Sequence, residues 1–159
     1  MDELIGLDEY RDANGFIRLK RSYSDLYKKV NYRAKTPRVI NKIYEYDIRA
    51  ANLTMLELSG TINSAVADRL RALPKKDREV AIGKMIAKDK SIGKTIAKGI
   101  INAKHRLFRA NKIQTDEVLS IKNDAVFISG RRLAVTTVAG VEFVLKHQYA
   151  MYQFLDGLE

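Results

Sequence analysis

The chain contains no cysteine or tryptophan and only two histidines and two prolines. Without thiols it can form no disulfide or thiolate metal site, and nothing indicates an oxidising compartment. His105 and His147 have no partner at the spacing of a metal site or catalytic triad, so both are expected at the surface. No apolar run approaches the ~20 residues that span a membrane, and the start at Met1 lacks a secretory signal pattern. These absences predict a cytoplasmic protein without a membrane partner.

Positive charge is abundant. Among 159 residues there are 29 Lys and Arg against 19 Asp and Glu, a formal net charge of +10. This balance favours a polyanionic partner, first of all nucleic acid, over the alternative of a merely charge-rich surface. An acidic membrane surface is less favoured, because no basic amphipathic stretch carries a large aromatic face. The length is that of about one domain, and 46% hydrophobic residues provide a core.

Residues 1–37 form a basic, tyrosine-containing segment ahead of a domain at 38–159. Tyrosines interleaved with lysines and arginines can line a nucleic-acid groove. The spacing of Tyr23, Leu26, Tyr27 and Val30 is also that of one helix face, and this core interpretation is favoured for those four.

The remaining pattern predicts an α+β domain. It indicates a strand at about 39–48, helices at roughly 50–58, up to 73, 75–89 and through 111, then strands at 119–122, 125–129, 133–138, 141–147 and 149–155. Gly60 fits an αL cap and Asn63 or Thr61 an N-cap. Four consecutive helices between strands favour an antiparallel sheet with the helices packed on one face.

Two aspartates end strand-like runs. Asp47 follows Ile43–Tyr46, and Asp124 stands between the apolar runs 118–121 and 125–128. If the two carboxylates converged, they would make a Mg²⁺ or Mn²⁺ site, because hard divalent cations choose oxygen ligands. Gly93-Lys94-Thr95 lacks the earlier glycine of a P-loop and is not a phosphate-binding Walker motif.

These segments carry a resemblance to a known family. Tyr46–Met55 resembles motif A of family B DNA polymerases, Asp-Phe-Lys-Ser-Leu-Tyr-Pro-Ser-Ile, and Ser120–Ile128 resembles motif C, Tyr-Gly-Asp-Thr-Asp-Ser-Val-Phe. Lys146–Ala150 is similar to the Lys-Lys-Arg-Tyr-Ala segment that grips the duplex. The order agrees over about 39–152, but motif B has no counterpart and Lys122 replaces the first motif C aspartate.

The resemblance implies a polymerase-palm-like fold of minimal phage or mobile-element type, located in the host cytoplasm if phage-encoded. It implies Asp47 and Asp124 as catalytic metal ligands, while Asn52 takes the place of the tyrosine that excludes ribose. The nucleotide would be held by Asn52, Lys84, Lys88, Lys94 and Lys98, and the nucleic acid by Lys122, Arg131, Arg132, Lys146 and Tyr149.

The function expected is that of a DNA polymerase-like nucleotidyltransferase that takes part in DNA replication, using nucleoside triphosphates and DNA rather than RNA. The alternative is a catalytically inactive protein of the same fold that binds nucleic acid or a replication partner. A structural or inhibitory phage protein is a third class. Because Lys122 places a cation near the expected metals, its orientation is the discriminating feature.

Overall fold

The computed structural model describes residues 9–11, 13–14, 17–19, 25–35 and 38–153. The strands are β1 (Glu9–Arg11), β2 (Ile17–Leu19), β3 (Asn31–Arg33), β4 (Arg38–Ile48), β5 (Val118–Lys122), β6 (Ala125–Ser129), β7 (Thr137–Val138) and β8 (Val141–Gln153). The α-helices are α1 (Ala51–Leu58), α2 (Ser64–Arg71), α3 (Lys75–Lys88) and α4 (Lys90–Ala110). Short 3₁₀ turns lie at Leu26–Lys28 and Thr115–Glu117.

The main sheet has six strands in the order β3-β5-β6-β4-β8-β7, and every neighbouring pair is antiparallel. β1 and β2 form a separate antiparallel pair. All four helices lie in sequence between β4 and β5, so the central pair β4–β6 joins segments on either side of the helical region. The predicted α+β class with an antiparallel sheet is confirmed.

One face of the sheet packs against the helices. Alternate residues of β4, Tyr44, Tyr46 and Ile48, belong to the main hydrophobic cluster, as the two-residue period of a strand requires. The helices contribute residues at helical spacing to the same cluster, among them Leu53, Leu56, Ile96, Ile100, Leu107 and Phe108. Gly99 lets α4 approach α1 closely, because a Cβ atom there would lie 2.5 Å from the Met55 sulfur.

The other face carries a smaller cluster of Ile43, Leu119 and Phe127, with Ala34 packed against it. Ile43 is fully buried although it points away from the helices. The alternation along β4 therefore separates the helix-side core from a second face, and Asp47 belongs to the second face with Ile43.

The helix ends follow the predicted signals. The Asn63 side chain accepts a hydrogen bond from the Val66 amide at 2.9 Å and caps α2. Gly60 has φ 76°, the left-handed conformation expected after α1. The predicted break near residue 90 is also present, where Asp89 caps α4 by accepting from the Ser91 amide at 3.0 Å.

Three expectations differ from the structure. Only Thr137–Val138 of the predicted strand 133–138 is a strand, and the two predicted strands 141–147 and 149–155 are one continuous β8, which is described as far as Gln153. β8 forms bulges against β4 and continues through them as one strand without a turn. The third difference lies nearer the N-terminus.

The predicted helical face at 23–30 is only partly described, because Tyr23 lies outside the described residues. Leu26 is buried and Tyr27 stacks on His105, as the core interpretation expects, but Val30 is 56% exposed. The helix is a single 3₁₀ turn, followed by β3, which pairs with β5. The chain ahead of residue 38 thus contributes to the main sheet, while the proposed domain division at residue 37 stays a prediction.

Among the helices of the described residues, none combines the length and the apolar character needed to cross a membrane.

Candidate metal and nucleic-acid site

Asp47 lies near the end of β4, on the face of the sheet opposite the helices. It is directly opposite Ala125 of β6 and Val144 of β8. Ala125 is in turn opposite Lys122 of β5, so Lys122, Ala125 and Asp47 form one row across three strands. Residues directly opposite in antiparallel strands share a face, and the small Ala125 side chain leaves room beside the Asp47 carboxylate. The Asp47 side chain is 28% exposed.

Asp124 stands at the tip of the β5–β6 hairpin, next to the end of β4. Asn123 has φ 54°, which turns the chain, and the Asp124 carbonyl accepts a hydrogen bond from the Ile48 amide at 3.3 Å. The two aspartates thus lie at the end of β4 and in the turn that leads into the neighbouring β6, although four helices separate them in sequence. The backbone brings the two acids near each other, while the convergence of their carboxylates and their function as metal ligands stay predictions.

The charge of Asp47 acts on Asp124. Burial raises the pKa of the Asp124 carboxyl above its ordinary value, and the nearby Asp47 charge raises it further. Its own backbone amide and the ammonium groups of Lys104 and Lys146 act in the opposite direction but do not cancel the increase. The two carboxylates therefore repel each other, and a cation between them would relieve the repulsion.

Lys146 makes the closest described ion pair with this site. Its ammonium nitrogen lies 3.6 Å from a carboxylate oxygen of Asp47. It is positioned by a bulge, since the pairing of β4 with β8 shifts between Glu45–His147 and Tyr46–Leu145 and leaves Lys146 as the extra residue. The side chain is 52% exposed, so it can exchange the carboxylate for another anion.

Lys104 is the site residue that the sequence interpretation missed. It lies on the buried face of α4 and is only 1% exposed. Its ammonium donates a hydrogen bond to the Lys29 carbonyl at 2.7 Å. Burial lowers its pKa from 10.5 to about 8, and the attraction of Asp124 opposes this shift. A helical wheel of α4 could have revealed it, because Lys104 falls beside Ile100, Ala103 and Leu107 on the apolar face.

Lys122 is exposed and turns along the sheet toward Phe127, with its ammonium 5.6 Å from the ring centroid. Asp47 is two strands away in the same row, a separation of about 10 Å at the backbone. Among the charges that act on the Asp124 carboxyl are Asp47, Lys104 and Lys146. The contact with Phe127 places the Lys122 ammonium over the face of the sheet that carries Asp47, while its binding of nucleic acid stays a prediction.

The other residues expected to bind nucleic acid differ in their surroundings. The Arg132 guanidinium is exposed and lies 5.8 Å from the Tyr44 ring centroid. Tyr149 is 41% exposed, stacks near Phe127 and donates a hydrogen bond to the Glu45 carboxylate at 2.8 Å. Arg131, in contrast, is held by Glu117 and the Asn111 carbonyl in a structural network.

The residues expected to bind the nucleotide lie in the helical region. Asn52, at the start of α1, donates its amide hydrogen to the Glu79 carboxylate of α3 at 2.8 Å. The four lysines of α3 and α4 are exposed: Lys84, Lys88, Lys94 and Lys98. Their contact with a triphosphate stays a prediction.

Carboxylates are the oxygen ligands that a hydrated divalent cation takes, and binding of such an ion by Asp47 and Asp124 stays a prediction. Within the part of the chain that the structure describes, no three or more His, Cys, Asp or Glu side chains form a cluster for a metal ion.

The comparisons with known proteins give one finding. The family described as the bacteriophage PBS1 gene 130 protein matches residues 22–158. No curated protein and no solved structure matches the chain. The match covers both aspartate segments and the whole main sheet, so the chain belongs to this family, which is named for a bacteriophage protein.

Proposed function

We propose that this phage-family protein is a palm-like nucleotidyltransferase that acts on DNA, with Asp47 and Asp124 holding a divalent cation. One observation carries the proposal. The chain brings two acids from distant segments to neighbouring strand ends, where their charges interact and a lysine from a third strand contacts one of them. This is the order of the segments that resemble motifs A and C and the basic segment of family B DNA polymerases.

Each residue then has a defined task. A bound Mg²⁺ or Mn²⁺ would polarise phosphoryl oxygens and favour ionisation of a primer 3′-hydroxyl. Asp47 and Asp124 would orient the reacting groups from rigid strand ends. Lys146 would exchange Asp47 for a backbone phosphate, because its ion pair lies at the surface with half of its side chain exposed.

The surroundings supply nucleic-acid contacts. Lys122 is exposed in the row of residues that contains Asp47, and the exposed Tyr149 lies next to Phe127 on the same face. Arg132 is exposed beside Tyr44, at the helix side of the sheet. Lysines can neutralise phosphate, and an exposed tyrosine ring can stack on a base. The Asn52 amide, engaged by Glu79, would discriminate weakly against a ribose 2′-hydroxyl.

A second candidate is a catalytically inactive protein that binds nucleic acid or a replication partner. It is favoured by the ion pair of Lys146 with Asp47 and by the buried ammonium of Lys104. These two cations already balance the negative charge that a divalent ion would balance. In this case the basic surface binds DNA, and the carboxylates only shape the strand ends.

The test is nucleotide incorporation into a primer–template with Mg²⁺ or Mn²⁺. We expect Asp47→Asn and Asp124→Asn to lose at least about 100-fold, because both ligands act in the transition state. Asp116→Asn is the matched control, since Asp116 is an exposed acid at the opposite end of β5 from Asp124. Activity unchanged in Asp124→Asn would exclude the enzymatic proposal.

Lys122→Asp separates the two candidates. If the native chain is inactive but this variant gains incorporation, the protein is a degenerate palm that lost one acid. If both are inactive while DNA binding persists, the inactive-binding function holds. DNA affinity should fall steeply between ~50 and ~200 mM salt, because a basic protein releases counterions on binding. An affinity that ignores salt would remove nucleic acid as the partner.

A further inference from the structure

Lys104 occupies a costly position. Lysine is almost never fully buried unless it is paired, because its ammonium loses hydration. The neighbouring buried positions of α4 are apolar, so a methionine or leucine would pack there without that cost. The described hydrogen bond to the Lys29 carbonyl satisfies one of three ammonium donors. The placement therefore calls for a reason beyond packing.

The Lys29-Val30 segment connects Lys104 to the hairpin tip. The Lys29 carbonyl accepts from the Lys104 ammonium at 2.7 Å, and the next carbonyl, that of Val30, accepts from the Asn123 amide at 2.6 Å. Asn123 immediately precedes Asp124. Two successive carbonyls thus tie α4 and the β5–β6 turn to one strip of backbone. Across this strip the Lys104 ammonium and the Asp124 carboxylate attract each other.

The same segment is itself well supported. Tyr27 stacks on His105, the residue after Lys104, with ring centroids 4.2 Å apart. On the other side, Asn31 pairs with Lys122 at the end of β5. The position of Lys104 relative to the hairpin tip is therefore fixed from both directions.

We propose that the Lys104 ammonium is a resident counterion of Asp124, which replaces one metal and limits the carboxylate pair to a single divalent cation. This rests on the proposed divalent site. Lys104 acts from the helix side, whereas Asp47 and Lys146 approach from the other strands. The Asp47 and Asp124 carboxylates together with the Lys104 ammonium carry a net charge of about −1, which is too little for two divalent ions. Lys104 is thus a positioning residue, not a catalytic one.

The experiment measures Mn²⁺ binding to the full chain by titration calorimetry, with electron paramagnetic resonance to count bound ions. The native protein should bind one ion. Lys104→Met should bind Mn²⁺ about tenfold more tightly or take up a second ion, because a repelling charge is gone. If Lys104 only supports the structure, Lys104→Met should bind Mn²⁺ more weakly than the native chain, because loss of the lysine would disorder the hairpin tip that carries Asp124.

Two variants complete the design. Lys90→Met removes an exposed charge at the start of the same helix and should leave stoichiometry and affinity near native. Lys104→Met added to Asp124→Asn should no longer tighten Mn²⁺ binding, because the ion whose affinity it raises has lost its ligand. A full tightening in that background would overturn the link to Asp124.

The proposal would also be overturned if the native chain bound two Mn²⁺ ions, or if Lys104→Met bound Mn²⁺ more weakly than the native chain. The first of these measurements uses the native chain and does not depend on the folding of a variant. Failure of the proposed function is distinguishable, because it appears as absent Mn²⁺ binding or as incorporation unaffected by Asp124→Asn. If the native chain binds two ions and incorporates nucleotides, the proposed counterion role of Lys104 is rejected while the proposed nucleotidyltransferase function stands.

Discussion

Two charged regions of this protein are built differently. At the far end of β5, Arg131 binds Glu117 through two hydrogen bonds, at 2.6 and 3.2 Å, and the Asn111 carbonyl at 2.7 Å. Asn111 is itself buried, and its side chain bonds the Leu107 carbonyl and both backbone groups of Val135. In this network the described donors are paired with acceptors, and the Arg131 guanidinium is paired with the Glu117 carboxylate.

At the near end, Asp47 and Asp124 place like charges on neighbouring strands. The pKa values of Glu117 and Asp124 are shifted in opposite directions. Burial alone would raise the pKa of Glu117, but Arg131 and the Gln114 amide lower it below its ordinary value. The pKa of Asp124 is raised instead, by burial and by Asp47. The first region pairs its charges within the fold, whereas the second keeps two like charges together that Lys104 and Lys146 only partly compensate.

Arg131→Ala sharpens the comparison with the largest expected effect on stability. It removes the partner of a mostly buried Glu117 and leaves the Asn111 carbonyl without its donor. The free energy of unfolding should fall by about 2–3 kcal/mol. Urea denaturation measures it, with the exposed Arg132→Ala as control, for which less than about 0.5 kcal/mol is expected. An equal decrease in the free energy of unfolding in both variants would mean that the Arg131 network stabilises the fold no more than an exposed arginine does.

Asp124→Asn should have the opposite sign. The folded-state pKa of Asp124 is raised, so the folded protein holds this proton more firmly and loses stability as pH rises through the titration. At neutral pH the neutral amide should therefore increase the free energy of unfolding by about 0.5–1 kcal/mol. Glu117→Gln, at the compensated end, should decrease it. A destabilised Asp124→Asn chain would show that the aspartate pair is structural.

Lys104→Met tests the same contrast through pH. With the pKa of Lys104 lowered from 10.5 to about 8, the unfolded chain binds more protons than the folded protein between these values. The free energy of unfolding of the native chain should thus rise across pH 8–10.5 relative to Lys104→Met. Subtracting the two curves cancels the other titrating groups, and Lys90→Met serves as control. If the free energy of unfolding of the two proteins changed with pH in the same way, the pKa of Lys104 would be the same in the folded and unfolded chains.

Lys146→Ala should have the smallest effect on stability, because its ion pair with Asp47 is half exposed and such pairs contribute under about 1 kcal/mol. Its effect should appear in DNA binding, where the slope of log affinity against log salt should drop by about one phosphate contact. Lys90→Ala provides the matched charge loss elsewhere. Identical slopes in native and Lys146→Ala proteins would place DNA on another surface.

Local signals in the sequence located most of the elements. The predicted caps at Asn63 and Gly60 mark helix ends with side-chain or backbone chemistry that acts within a few residues. The Asp89 cap of α4 was not predicted. The apolar runs beside Asp47 and Asp124 likewise predicted β4 and the β5–β6 hairpin. β3 escaped prediction because three residues are too few for a periodic pattern, and the length of β8 depends on bulges that only pairing with β4 reveals.

The sequence by itself determined the basic charge, the α+β class and two acids at strand ends, since these follow from composition and short-range periodicity. Only the tertiary structure decided that β4 pairs with β6, which places Asp124 beside Asp47. The same long-range pairing put Lys146 in contact with Asp47 and buried Lys104 behind the hairpin tip. Electrostatic coupling depends on distance in space, and the chain sets that distance through contacts between segments that no local pattern connects.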